Sequence, residues 1–568
     1  MRTGFVPHTR LLCFLLLATL AGGVHAAERV DLLVRNGTIY DGSGGAPVRG
    51  DVAVRDGRVV AMGVLTDYSA TREVNANGLA VAPGFINTLS WATESLLHDG
   101  RGMSDIKQGV TLEIFGEGNS MGPVNDRIRD EMLKTQGDIR FEVSWNTLGE
   151  YLETLVKKGV SPNVASFIGA TTARAYVIGF DDRAPTAEET QRMQELVREA
   201  MREGALGVGS SLIYAPASYA KTDELIALAS AAGEFGGGYI SHMRSEGDRF
   251  MEALDELIRI SREGKVHAQA YHLKAAGQKN WPKMREAIAK IEAARKAGLP
   301  ITADMYPYTA GATGLDAAMP TWVQQGGIDG WVAQLKKPDV RKRVIAEMRD
   351  PNANWESLLL AAGSADRVLL IGFKTEKLKP LTGKSLAEVA KMRGVSPEDA
   401  AIDLVIEDHT RVGTAYFLMS EENVKLGLQQ PWVNIGSDAE APAPEGPFLL
   451  SNPHPRAYGA FARFLGRYVR DQKVTTLQDA VRRLTRQPAT TFKLKDRGCL
   501  DKGCFADIVV FDPAKINDLA TFDKPHQYSV GMVHVFVNGT QVLRDGEHTG
   551  AKPGQVVRGP GWVGWKKE

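Results

Sequence analysis

The stretch from Gly237 to Gly277, GGYISHMRSEGDRFMEALDELIRISREGKVHAQAYHLKAAG, constrains the fold more than any other part of the chain. GGYIS reads as a strand ending in His242, Asp248 to Arg262 as a helix, and VHAQAY as a second strand ending in His272. Phe250, Met251, Leu254, Leu257 and Ile258 recur at helical spacing with charged residues between them, which identifies the middle element. A strand, a crossover helix and a strand of this length make a parallel unit, and parallel neighbours bring their C-terminal ends to the same edge of a sheet. Two imidazoles therefore face one mouth. Neutral imidazole on a rigid strand end suits a metal ion. A single histidine there is more often a hydrogen-bonded structural residue, so the inference rests on the pair, with Lys274 two residues beyond the second.

The same alternation continues on both sides. VAPGFINTLS, a helix near Ile106, GVTLEIFGEG, a helix around Asn146 to Lys158, VASFIGA, a helix at Ala187 to Glu203 and ALGVGSSL precede the unit. A helix at Lys283 to Ala297 and then PITADMYPY follow it. Repeated βα units predict a parallel sheet with helices outside, and this many favour a closed (β/α)8 TIM-like barrel. Residues 315 to 430 fit less well. Their helical runs at Val340 to Arg349, Ser385 to Met392 and Pro397 to Ile406 read as an insertion subdomain before PWVNIGSDAEAP resumes the barrel.

With 568 residues the chain exceeds one ordinary core, and a barrel with a satellite domain absorbs the excess. Val30 to Gly63 alternates apolar and polar residues around the hairpin signals Asn36-Gly37 and Asp56-Gly57. ADIVVFD and HVFVNGTQVLRDG repeat that style near the other terminus, which predicts a small β-sandwich domain built from both chain ends. The expected layout is a signal peptide at 1–26, β-domain at 27–82, barrel at 83–490 with the insertion at about 315–430, and β-domain again at 491–568.

Lys+Arg and Asp+Glu balance at 68 each, so nothing in the charge points to nucleic acid or an anionic membrane, and a small-molecule enzyme is expected. The opening residues have a basic start, an apolar run from Leu11 to Leu20, and small residues at Val24 and Ala26. That is a secretory signal cut after Ala26, with a run too short to span a membrane. Cys13 lies inside the run, which disfavours a lipid anchor. The mature protein is expected to be secreted, to the periplasm if the host is Gram-negative. Cys499 and Cys504 then remain, either as a local disulfide or as two unrelated small core residues. Oligomeric state is not readable.

Active sites of barrels lie at the C-terminal ends of the strands. The polar residues there are Glu117, His242, His272 with Lys274, Asp304, Tyr306, Tyr308 and Asp438. Glu117, His242 and His272 make a three-ligand set with a fourth position open, the arrangement of a catalytic zinc. Asp438 would take a proton from the attacking water and return it to a leaving nitrogen. Plainer readings exist: Glu117 binding loop amides, Asp438 capping a turn, Lys274 and the tyrosines as rim residues. His267, His409 and His454 read as structural or surface residues.

The ordered set NGTIYDGSG, AVAPGFIN, QGVTLEIFGEG, GALGVGSSLIYAP, YISHMRSEG, AYHLKAAG, DMYPYTAG, IGSDAEAP, HPRAYGAFARFL and FADIVVFDP resembles the amidohydrolase superfamily. Within it the chain is most similar to N-acyl-D-amino-acid deacylases (D-aminoacylases), over nearly its whole mature length. The resemblance implies zinc-dependent hydrolysis of the amide bond of N-acyl amino acids, those of D configuration above all. It implies His242 and His272 as zinc ligands, Asp438 as the catalytic aspartate, and Lys274 with Tyr306 or Tyr308 as a clamp for the substrate carboxylate. Two departures matter. Most amidohydrolases follow PGFID with a His-x-His pair, where this chain has Leu89 and Trp91, neither of which binds a metal. The deacylases then supply a cysteine from a GNCG loop, where this chain has Glu117 in GEG, an acceptable harder ligand. The first change argues for one Zn2+ per chain. A hydrolase of a dipeptide or cyclic amide at the same site, a metal-free binding protein and a two-metal enzyme are the rival readings.

Overall fold

The computed structural model describes residues 27–564 together with Met1, Thr3 and Gly4; apart from these three, the signal peptide read at 1–26 lies outside the described residues. Eight parallel strands form the barrel. They are Phe85–Asn87, Val110–Phe115, Asn163–Ser166 continued by Ile168–Gly169, Gly207–Ser211, Gly238–His242, Ala268–Ala270, Ile301–Met305 and Val433–Ile435. Each pairs in parallel with its successor. The ring closes just past the first and last strands, where Ser90 bridges Ala439 in parallel. There the Asp438 amide donates to the Leu89 carbonyl and the Trp91 amide to the Ala439 carbonyl, each at 2.9 Å.

The crossover between His242 and His272 shows how the sequence drives this arrangement. Helix Phe250–Gly264 buries Phe250, Leu254 and Leu257 and ends where Lys265 turns left-handed, at φ 53°. Each of those side chains gains about 1.5–3 kcal/mol from burial. The spacing predicts a start at Asp248, but the helix begins at Phe250 because the Ser245 hydroxyl accepts the Gly247 and Arg249 amides and holds the preceding turn open. The helix Ala187–Arg202 is instead started by a capping box of Thr186 and Glu189.

Between the seventh and eighth strands the chain leaves the barrel. It builds a three-stranded antiparallel sheet from Gly311–Gly314, Val368–Gly372 and Gly413–Tyr416, flanked by helices that include Pro338–Arg349, Leu386–Arg393 and Pro397–Asp408. Both chain ends share one nine-stranded sheet, in which Ile508–Phe511 pairs antiparallel with Ala80–Pro83. Both faces of its long strand Glu28–Ile39 are covered, Leu32, Val34 and Ile39 lying in one apolar cluster and Val30 and Leu33 in another. Cys499 and Cys504 form a disulfide beside this domain. The layout expected from sequence needs one correction. The chain after His548 leaves the sheet and runs beneath the barrel, where the Val557 amide donates to Val164 and the Gly559 amide to Gly204, both at 2.8 Å.

Candidate active site

The loop that carries Glu117 is shaped by its two glycines. Gly116 and Gly118 have φ of 107° and 76°, in the left-handed half of backbone space. A Cβ on Gly116 would lie 2.4 Å from the Phe167 carbonyl oxygen, and one on Gly118 would lie 2.5 Å from Ser211 Oγ. Only bare backbone can cross the ends of the third and fourth strands so closely, and the crossing directs Glu117 into the barrel mouth.

There Glu117 Oε1 meets His242 Nδ1 at 3.1 Å and His272 Nε2 at 3.0 Å. The three side chains are buried, and their ligand atoms all lie within 4.8 Å of one another. Donors about 2.1 Å from a tetrahedral zinc stand roughly 3.4 Å apart, close to these separations. Burial raises the pKa of Glu117, but hydrogen bonds with His242 and His272 outweigh it and hold the carboxyl well below its ordinary range. Burial lowers His242. Burial and the Lys274 charge oppose protonation of His272, yet Glu246 and Glu117 carry its pKa well above the usual value. These donors, Glu117 Oε1, His242 Nδ1 and His272 Nε2, are of the right type and spacing for a divalent cation bound by one carboxylate and two imidazoles.

Glu246, four residues past His242, stands behind both imidazoles. Its Oε1 is 2.8 Å from His272 Nδ1 and its Oε2 is 3.7 Å from His242 Nε2. A carboxylate on the far nitrogen fixes ring orientation and tautomer and frees the near nitrogen for a ligand bond. Lys274 Nζ lies 2.7 Å from the same carboxylate and 2.8 Å from His272 Nδ1. Lys274 is thus a buried partner of Glu246 and does not present a free ammonium to the mouth. Burial pushes Glu246 up, but the Lys274 and His272 charges bring it down to about 2.

Asp438 sits across from this group, with φ of 50°; His272, at φ 35°, is likewise left-handed, a strained conformation for both residues that recurs at functional sites. The indole Nε1 of Trp91 donates to Asp438 Oδ1 at 3.1 Å and to Glu117 Oε2 at 2.9 Å, so the two carboxylate oxygens lie within about 6 Å of each other. Arg456 Nη1 is 2.7 Å from Asp438 Oδ2, an ion-pair contact whose angle falls outside hydrogen-bond geometry. Burial raises the pKa of Asp438 above the ordinary value against the pull of Arg456.

The two tyrosines separate. Tyr306 lies under the Arg456 guanidinium, 4.4 Å from its centre. Tyr308 donates to Asp518 at 3.2 Å, in a network with Arg463, and is tied to the segment before the last strands. Asp304 accepts the His272 amide at 2.7 Å and also bonds Thr88 and Gln269, a buried support beneath the site with its pKa raised to about 7 by burial. His267, His409 and His454 pair with Thr302, Asp329 and the Ala310 carbonyl. Arg411 comes from the insertion. Its guanidinium stacks 4.7 Å from the Tyr214 ring, which in turn sits 5.1 Å from His242. The side chain is 52% exposed, with Nε held by Asp316 and Nη2 by Thr313.

A sequence model of the amidohydrolase family matches residues 72–543. The chain belongs to the amidohydrolase family. It is 35% identical over 539 residues to D-aminoacylase of Alcaligenes xylosoxydans xylosoxydans, covering 94% of this chain and 98% of that one. N-acyl-D-glutamate deacylase of Bordetella bronchiseptica, solved with zinc and a phosphonate mimic of the tetrahedral intermediate, superposes with a TM-score of 0.77 at 31% identity, over 94% of this chain and 100% of that one. A D-aminoacylase structure superposes equally well, with a TM-score of 0.77 at 32% identity over 93% and 100% of the two chains. It is described by a binuclear metal centre in which one metal activates and the second attenuates.

Proposed function

We propose that this protein is a metal-dependent deacylase that hydrolyses the amide bond of N-acyl-D-amino acids, releasing a free amino acid and a carboxylic acid. The observation that carries the reading is the convergence of Glu117, His242 and His272 within 4.8 Å, joined to Asp438 through the Trp91 indole. One Zn2+ held by these three residues would supply Lewis acidity to the amide carbonyl and the attacking water. Asp438, its basicity raised by burial, takes the water proton as the C–O bond forms and delivers it to the nitrogen as the C–N bond breaks. Glu246 and Lys274 neutralise each other behind His272 and orient it. Arg411, an exposed guanidinium stacked on Tyr214 beside His242, receives the substrate carboxylate together with the Tyr306 hydroxyl. This assignment moves the anion-binding role from Lys274 to Arg411 and leaves Tyr308 as support. Export is part of the same proposal, and the Cys499–Cys504 disulfide suits an oxidising compartment.

The test is turnover of a panel of N-acetyl-D- and N-acetyl-L-amino acids by the zinc-loaded protein. Release of amino acid from D substrates in preference to their L counterparts is expected. Equal turnover of both series, or cleavage of dipeptides or cyclic amides alone, would overturn the assignment.

A further inference from the structure

Leu89 and Trp91 do more than fail to bind metal. Leu89 is 1% exposed and packs with Ile86, Leu112, Ile240 and Tyr271. A Cβ on Gly436 would fall 2.8 Å from Leu89 Cβ, so that side of the mouth is filled by hydrocarbon against backbone. Trp91 then reaches back over the seam between the first and eighth strands and gives one N–H to two carboxylates. Two carboxylate oxygens aimed at one point repel unless a positive group stands between them. An indole N–H is a donor with no acceptor capacity, so it answers that requirement while excluding a cation from the same point. The Arg456 guanidinium balances the charge at the other oxygen of Asp438, 2.7 Å away. The N–H also occupies Oε2 of Glu117, leaving only Oε1 on the histidine side.

We infer that Trp91 is a positioning residue whose indole N–H takes the place of a second cation between Glu117 and Asp438, making the centre a one-metal site by construction. The inference rests on the metal-dependent reading above. Its test compares the full-length wild type, Trp91→Phe and the double variant Leu89→His/Trp91→His, each checked for unchanged circular dichroism. Zinc is counted after dialysis, its affinity is measured by chelator competition, and kcat and KM are separated on an N-acetyl-D-amino acid.

One zinc per chain is expected in the wild type and in Trp91→Phe. In Trp91→Phe the dissociation constant should rise roughly 10- to 100-fold, as when an outer-shell partner is removed. kcat should fall with little change in KM, a split that a merely structural loss would not give. The double variant should hold two zinc ions, because the indole no longer occupies Glu117 Oε2 and Asp438 Oδ1. A folded double variant that stays at one zinc, a Trp91→Phe affinity within twofold of wild type, or two tight zinc ions in the wild type would overturn the inference. A wild type that retains no zinc would sink the metal reading and this inference with it, whereas a one-zinc wild type with an indifferent Trp91→Phe sinks only the role of Trp91.

Discussion

Replacing Glu246 with Gln probes the buried charge arrangement behind the two histidines. Glu246 is 1% exposed and Lys274 is 6% exposed, so their ion pair is shielded from water. In the variant, the ammonium keeps the His272 carbonyl at 3.2 Å but loses the carboxylate it pairs with. Breaking a buried pair by removing one partner costs about 3–5 kcal/mol. The amide oxygen of Gln can still accept one hydrogen bond, which places Glu246→Gln at the lower end, about 3 kcal/mol, measured by urea unfolding of the metal-free protein. Zinc affinity should fall roughly 10- to 100-fold, because His272 loses the carboxylate that sets its orientation. The decisive comparison is Glu246→Gln/Lys274→Met. Removing both charges together leaves no orphan, so the double variant should recover much of the stability lost in the single one. A Glu246→Gln protein within about 1 kcal/mol of wild type, or a double variant whose loss is the sum of the two singles, would refute the pairing.

Further outcomes are equally direct. Arg411→Met should raise KM for N-acetyl-D-amino acids, lowering kcat/KM roughly 10- to 100-fold with kcat less affected, as expected for a lost hydrogen-bonded charge on substrate; an unchanged KM would return the anion-binding role to another cation. Glu356 accepts the Glu246 amide at 2.9 Å and the Gly247 amide at 3.2 Å, and burial pushes its pKa up to about 7 from 4.5. A raised acid binds its proton more tightly when folded, so its contribution is intact below pH 4.5 and is lost as pH rises through about 7, by up to roughly 3 kcal/mol. Glu356→Gln should remove that loss, making stability fall less, or rise more, with pH across the window than in the wild type, and a variant with the same pH slope as the wild type would contradict the assignment. Mass analysis of exported protein should show a mature chain beginning at Ala27; a chain retained in the cytoplasm with Met1 intact would contradict export.

The barrel was legible because its strands and helices differ in apolar period and because the unit around His242 and His272 repeats along the chain. The convergence of Glu117, His242 and His272 was legible for the same reason, since a strand end fixes where a side chain points. What stayed hidden was charge pairing across the mouth. Glu246 lies in the quoted SHMRSEG motif and Arg456 in HPRAYG, but spacing along a chain does not say which cation a buried carboxylate will hold. The substrate-binding role of Lys274 is what the family resemblance implies, and nothing in the spacing shows that Glu246 stands 2.7 Å from its ammonium. Arg411 sits in the insertion, 139 residues past His272, where no periodic signal ties it to the barrel. The positive φ at His272 and Asp438 is likewise invisible in the sequence, since neither residue is glycine.

The most direct measurement is a titration of zinc into metal-free protein while hydrolysis of an N-acetyl-D-amino acid is followed. Activity should be absent at the start, rise in proportion to added zinc and break at one ion per chain. Full activity before any metal is added, or a linear rise that breaks only at two, would contradict a single ion held by Glu117, His242 and His272.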